Sequence, residues 1–401
     1  MRLWKKIVFW IVGLLTVFVI LPGIIIFSLW HNEIKTYMSI REISPENAAH
    51  KDGAVYEMHV SGDFYFEEFV NHGGAKTDEE VVAFIKEKMA KGFWDITLAP
   101  KEVLGSSFTA KTDDGDFLFA RNYDSLKTST CLVYTEAKDG RHASVSTVDL
   151  GFLGINAENG VRTAKDKLAC LAAPYVPLDG INDAGVSCGI FSTYQGDKTV
   201  PTNQNTDEPD LTSTTMVRMV LDYADNLEEA VAMISYYDLH DTANNSYHYM
   251  IADSTGKSAV LEWIAPTTDL SDNDGSKREL KVYYNEYDAE VGPREEKAEH
   301  QWVTNFILEP GYYDDGGEME GYDRYENIYI DLKETNGTIK DEDAAMEVLS
   351  SVGRRRWVHF DGKDICTLSS TVYNLTDKTA LFIPNENYDN KNATFQLSLE
   401  K

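Results

Sequence analysis

The residue types best suited to chemistry fall in four short stretches. Arg121, Asn122 and Asp124 close an alternating strand, which fixes a guanidinium and a carboxylate near the start of the preceding strand at Gly105 and Ser106. Asn182 lies in Gly180-Ile181-Asn182-Asp183-Ala184-Gly185, Asn285 in Val282-Tyr283-Tyr284-Asn285, and Arg324 in Gly321-Tyr322-Asp323-Arg324-Tyr325. Attack on an amide carbonyl without a metal needs a nucleophile, a base and donors for the developing oxyanion, and these residue types supply such groups. Taken singly, each stretch has a plainer reading. Arg-Asn-x-Asp is ordinarily a surface turn, and Asn-Asp-Ala-Gly is ordinarily a hairpin turn with no further duty.

The elements that must position these residues are legible nearby. Phe108 and Ala110 alternate with polar residues, Asp114-Gly115 makes a turn, and Phe117 and Phe119 resume the alternation, so a hairpin leads into Arg121. A second hairpin is expected over His248 to Trp263, turning at Ser254-Thr255-Gly256. Helices are expected over Thr214–Ala224 and over Asn226–Tyr236, the latter with Asn226 and Glu229 as a capping pair. Hairpins interleaved with paired helices imply antiparallel sheets covered by helices, a layered α+β architecture. Three long polar segments, 193–212, 267–277 and 309–322, are candidates for the rim of a site.

From about Gly105 to the C-terminus, these motifs in this order resemble the choloylglycine hydrolase and penicillin V acylase family of N-terminal-nucleophile amide hydrolases. The resemblance implies a four-layer αββα sandwich of two antiparallel sheets. It also implies hydrolysis of linear amide C–N bonds in acylated small molecules, N-acyl amides of the bile-salt or penicillin V type, with neither cofactor nor metal. Family members open their mature chain, exposed by autoproteolysis, with a Cys whose own amine serves as base, and reach Arg-Asn-x-Asp after one hairpin. By that match Arg121 favours the thiolate, Asp124 orients the amine, Asn182 and Asn285 hold the substrate carbonyl, and Arg324 completes the site. Thr367 to Asn374 resembles the family's closing strand. The family commonly has Thr before the second Asn, where this chain has Tyr284.

The position matching the Cys, sixteen residues before Arg121, is Gly105. Glycine has no side chain and cannot attack. Cleavage before Ser106 would offer an alternative nucleophile, but side chains alternate faces at period two, so a one-residue slip points Ser106 away unless a bulge compensates. Three readings stay open: an amidase lacking its nucleophile, a membrane-tethered binding module that keeps an acyl-amide pocket, and an acyltransferase on the same scaffold.

The formal charge of -29 argues against nucleic acid as a partner, since that binding is carried by Lys and Arg. Four cysteines, Cys131, Cys170, Cys188 and Cys366, show no C-x-x-C spacing, and Cys188 reads as a buried small hydrophobe. Residues 7–30 carry no charge and are long enough to cross a membrane, with Arg2, Lys5 and Lys6 before them. The expected organisation is a cytoplasmic tip (1–6), an uncleaved single-pass anchor (7–30), a prosegment (31–104) and an extracellular catalytic domain (105–401). The prosegment is expected to alternate from Val55 to Phe66 and then to form a helix from Asp78 to Lys91, capped by Thr77 with Glu80.

Overall fold

The computed structural model describes the chain apart from residues 1, 48–51, 139, 156, 157, 159, 195–199, 265–273, 286–298, 311, 314–318, 357–364, 400 and 401. Parts of all three expected rim segments therefore lie outside the described residues.

Two sheets dominate. The nine-stranded sheet runs in chain order across Arg41–Ser44, Val55–Val60, Thr130–Thr135, Ser144–Asp149, Asp179–Asn182, Ser187–Ser192, Tyr247–Ala252, Ser258–Ile264 and Glu279–Tyr284. Every pair in it is antiparallel except Val55–Val60 with Thr130–Thr135. The second sheet orders Trp302–Val303, Leu104–Thr112, Phe117–Ser125, Cys366–Asn374, Thr379–Pro384 and Phe395–Ser398, with Thr338–Ile339 joining parallel to Leu104–Thr112.

Helices cover the outer faces. Ser213–Tyr223 and Leu227–Tyr236 pack on the nine-stranded sheet, and Tyr322–Leu332 and Glu342–Ser351 pack on the second. Between the sheets, Phe119 and Tyr373 of one share a core with Ile181 and Phe191 of the other, all buried. The result is the expected four-layer αββα sandwich. Both expected hairpins form, with Gly115 and Gly256 at positive φ (103° and 85°), where glycine avoids the Cβ penalty of the left-handed region. Both expected helices form within a residue of their anticipated ends, and the Asn226 side chain accepts from the Glu229 N–H at 2.9 Å.

Residues 31–104 are built into this sandwich. Two of their strands lengthen the nine-stranded sheet, and Tyr56 and Met58 are buried in the core beneath it. Gly53 lies against the other sheet's last hairpin, where Asn385 Nδ2 donates to its carbonyl at 3.1 Å and Arg355 pairs with Asp52. The alternation expected to reach Phe66 stops at Val60; the chain turns at Gly62 and Tyr65, both at positive φ, and Phe66 opens a short helix instead. Thr77 does cap the next helix, accepting from the Glu80 N–H at 3.2 Å. The Glu80 carboxylate reaches one residue further back than a capping box requires, to the Lys76 N–H. That helix is α over Asp78–Ile85 and widens to a π turn over Lys86–Ala90.

The N-terminal segment is helical through Arg2–Leu15, a π turn at Thr16–Ile20 and Leu21–Ser39. Pro22 explains the π turn: it lacks an N–H, and its ring clashes with the carbonyl four residues back, so the ladder widens to let it pass. The apolar side chains around it are exposed, and the helix is long and apolar enough to cross a membrane. It bends at Trp30 (φ -135°), and beyond the bend Glu33 and Thr36 are buried against the globular part.

Because residues 41–60 share sheet and core with strands from the rest of the chain, cutting between them and Gly105 should not separate the pieces. A protease site inserted between residues 97 and 103 is expected to give two bands under denaturing conditions and a single particle under native size exclusion. Native release of the N-terminal piece would show that those strands contribute little.

Candidate active site

The hairpin Leu104–Thr112/Phe117–Ser125 sets the site by its register: Leu104 faces Asp124, Gly105 faces Tyr123, Ser106 faces Asn122 and Ser107 faces Arg121. Period-two alternation divides these residues between the two faces of the sheet. Ser106, Asn122 and Asp124 look toward the helices Tyr322–Leu332 and Glu342–Ser351. Gly105, Arg121 and Tyr123 look toward the nine-stranded sheet.

On the inner face, the buried Arg121 guanidinium pairs with Asp179 and donates to the carbonyls of Leu178 (2.6 Å) and Ile190 (2.8 Å). Its carbon lies 4.7 Å from the Phe191 ring centre, a cation–π contact. Arg121 thus fastens one sheet to the other, and Asp124 is on the opposite face.

On the outer face Arg324 gathers the remaining groups. Its Nη1 donates to the Gly105 carbonyl (2.6 Å), Ser106 Oγ (2.9 Å) and Asp124 Oδ2 (3.2 Å), and its Nη2 donates to Asn305 Oδ1 (2.8 Å). Thr367 donates its hydroxyl to the other Asp124 oxygen at 2.6 Å. Arg324, Ser106, Asp124, Asn305 and Thr367 are fully buried. Burial lowers the Arg324 pKa below the usual arginine value, and the neighbouring Asp124 carboxylate offsets part of that fall.

Asn305 is a site residue that the sequence motifs do not single out. Its Oδ1 accepts from the Gly105 N–H at 3.1 Å as well as from Arg324, and its Nδ2 donates to the Ser192 carbonyl at 2.8 Å, which bridges the two sheets beside Gly105. A signal for it exists: Thr304-Asn305 carries the Thr-before-Asn that the resemblance calls for and that Tyr284-Asn285 lacks.

Asn182 and Asn285 are occupied elsewhere. The Asn182 Oδ1 accepts from the N–H groups of Ala184 and Val186, and its Nδ2 donates to the Ala224 carbonyl, so the residue closes the turn of its own hairpin. Asn285 Nδ2 donates to the carbonyls of Gly256 and Glu299 while its Oδ1 accepts from the Ser258 N–H, which ties strand ends together. Neither side chain joins the cluster at Gly105. The physical reasons differ: the Asn182 oxygen is taken by the N–H groups of its own turn, whereas Asn285 lies where strand ends from distant parts of the chain leave backbone groups to be satisfied.

Gly105 itself is closely fitted. A Cβ built on it would lie 2.1 Å from the Asn122 carbonyl oxygen, so its neighbour across the ladder occupies the space a side chain would need. The residues before it are equally engaged, since Val103 donates to Ser192 Oγ (2.8 Å) and Ser192 donates back to the Val103 carbonyl (2.7 Å). Cys188 is fully buried, and burial pushes its pKa well up despite the nearby Arg121, which holds it protonated.

The pattern of linear amide C-N hydrolases, choloylglycine hydrolase family, matches residues 106–391. The chain belongs to that family. The family match opens one residue after Gly105 and takes in Arg121, Asp124, Asn305, Arg324 and Thr367. Among solved structures the chain is similar to a penicillin V acylase from Agrobacterium tumefaciens, at 16% identity and a TM-score of 0.46, covering 74% of this chain and 86% of that one. A conjugated bile acid hydrolase variant from Clostridium perfringens is similar at 15% identity and 0.46, covering 74% and 92%. A Caenorhabditis elegans N-acylethanolamine-hydrolyzing acid amidase ortholog is similar at 16% identity and 0.39, covering 73% and 99%. No curated protein matches the chain.

Two variants test this geometry. Arg324→Met removes the cation from a buried carboxylate and should destabilise the fold by about 3–5 kcal/mol, the usual effect of breaking one side of a buried pair, read as a lower urea midpoint. Gly105→Ala forces the ladder apart and should destabilise by about 2–3 kcal/mol. An unchanged midpoint in the alanine variant would mean that the two strands separate freely at that point.

Proposed function

We propose that this chain is a membrane-anchored family member that binds an acylated small-molecule amide without cleaving it. The observation that carries this reading is Gly105. It offers no side chain, its N–H is a peptide donor engaged by Asn305 rather than a free amine, and the Asn122 carbonyl fills the space of a Cβ. What the chain keeps are charge and amide groups around that point, Arg121 on one face and Arg324, Asp124 and Asn305 on the other. Removing a catalytic nucleophile in a hydrolase lowers turnover by on the order of 10⁶ while binding groups survive.

The anchor reading is supported by Trp30. The residue that ends the apolar stretch is buried, and its indole N–H donates to the Met89 carbonyl at 2.9 Å, so the helix continues into the globular part where a processing site would have to be open. Arg2, Lys5 and Lys6 before the span orient the globular part away from the cytoplasm by the positive-inside rule.

One observation favours a second reading, a serine hydrolase. Ser106 Oγ lies 2.9 Å from Arg324, whose charge would favour an alkoxide. Against it, Ser106 faces the helix layer, opposite Arg121, and its amine is a peptide nitrogen unless the chain is cut before it.

The deciding test uses the full-length protein in detergent with penicillin V and a glycine-conjugated bile salt. Intact mass is expected to show one uncut chain, and either ligand is expected to bind saturably with no product released. Product formation lost in Ser106→Ala would establish the serine reading. The absence of both binding and turnover would refute retention of an acyl-amide pocket.

A further inference from the structure

The loop that receives Trp30 carries a feature unrelated to the amide site. Phe93, at the tip of Lys91–Asp95, is 78% exposed, more than any other large apolar residue described outside the N-terminal helix. Its ring stands edge-on to Trp30 with centroids 5.0 Å apart, and Trp94 lies 6.1 Å from the same indole. Lys91 stretches over the Trp30 ring (5.7 Å) to reach Glu33 at 3.9 Å. Other exposed apolar side chains on the globular part, such as Leu126, Tyr236 and Ile330, are scattered, and singly exposed residues need no explanation.

Position distinguishes Phe93. The apolar segment from Ile7 to Trp30 is 24 residues, about 36 Å of helix, slightly longer than a hydrocarbon core of about 30 Å, so Trp30 falls at the interfacial zone. An exposed ring in contact with that indole lies in the same zone, where aromatic residues concentrate and lysines extend their charge toward water. The three lysines of the stretch Lys86–Lys91 pair with Asp95, Glu68, Glu87 and Glu33, so the charges at this edge offset one another and the exposed ring is its distinguishing feature.

We propose that the Lys91–Asp95 loop is a second membrane contact, in which Phe93 inserts at the interface beside the exit of the span and holds the globular part against the bilayer that anchors it. The proposal rests on residues 7–30 being a membrane span, and the test separates the two. The full chain carrying Cys366→Ser is labelled with a fluorophore at Asp95→Cys or, separately, at Val19→Cys. Each is reconstituted in phosphatidylcholine vesicles containing lipids with a nitroxide either near the headgroup or deep in the acyl chain. The remaining cysteines are buried, and the Asp95 side chain is 90% exposed.

The expected result is deep quenching at position 19, shallow quenching at position 95, and loss of the latter when Phe93→Asp is added, a change at an exposed ring that leaves the fold intact. Quenching at 19 without quenching at 95 would overturn the docking contact and leave the span standing. Quenching at 95 that survives Phe93→Asp would overturn the role given to Phe93. No quenching at 19 would remove the span and the docking contact together.

Discussion

A guanidinium with no water around it must be given acceptors by the protein, and the position of Arg324 is where that requirement shapes the rest. Its charge lies in an interior where an unpaired cation would cost several kcal/mol, so the chain surrounds it with the Gly105 carbonyl, Ser106 Oγ, the Asp124 carboxylate and Asn305 Oδ1. Those acceptors come from two adjacent strands and from the segment after Trp302–Val303, while Arg324 itself comes from a helix outside the sheet. Thr367, on a third strand, holds Asp124 in place from its other side. One buried charge therefore fixes the relative positions of a helix, three neighbouring strands and the bridge to the nine-stranded sheet. Arg121 performs the matching task on the inner face, through Asp179 and two carbonyls of the opposite sheet.

The lack of a side chain at position 105 has a consequence for the ladder itself. In a ladder the space above each Cα is available to a side chain only if the partner strand leaves it, and here the Asn122 carbonyl lies in it. A cysteine at this position would add a reactive group and also require the strands to separate. The Gly105 carbonyl lies 2.6 Å from Arg324 and its N–H 3.1 Å from Asn305, so backbone atoms make the hydrogen bonds around a position that carries no side chain.

What was legible in the sequence was what depends on neighbouring residues. The Asp114-Gly115 turn with its flanking alternation, the Asn226 cap and the Gly256 turn are decided within a few positions, and each formed as read. The period-two rule also separates residues 121 and 124, three apart, onto opposite faces, although one motif contains both. Contacts between distant segments were not legible. The parallel pairing of Val55–Val60 with Thr130–Thr135 leaves no local mark, so residues 31–104 read as a region apart when two of their strands extend the main sheet. Asn182 and Asn285 had plausible surroundings, but the Asn182 oxygen is taken by its own turn and Asn285 by backbone groups remote in sequence. Asn305 follows a two-residue strand too short for any periodicity, and its importance comes from Gly105, Ser192 and Arg324, which are remote in sequence.

These features fit one another. A chain that exposes its nucleophile by cutting before it must be able to release what precedes the cut, or at least free the new amine. Here the preceding residues are tied into the structure at several points: Val103 to Ser192 by two hydrogen bonds, Tyr56 and Met58 in the core, and Gly53 to Asn385 of the other sheet. The same continuous segment leads back through the buried Glu33 and Thr36 to Trp30, which is held at Met89. Packed in this way, residues 31–104 hold the backbone that leads to Gly105 in place, and the Gly105 N–H is itself donated to Asn305. The last turns of the apolar N-terminal helix are thereby packed onto the sandwich.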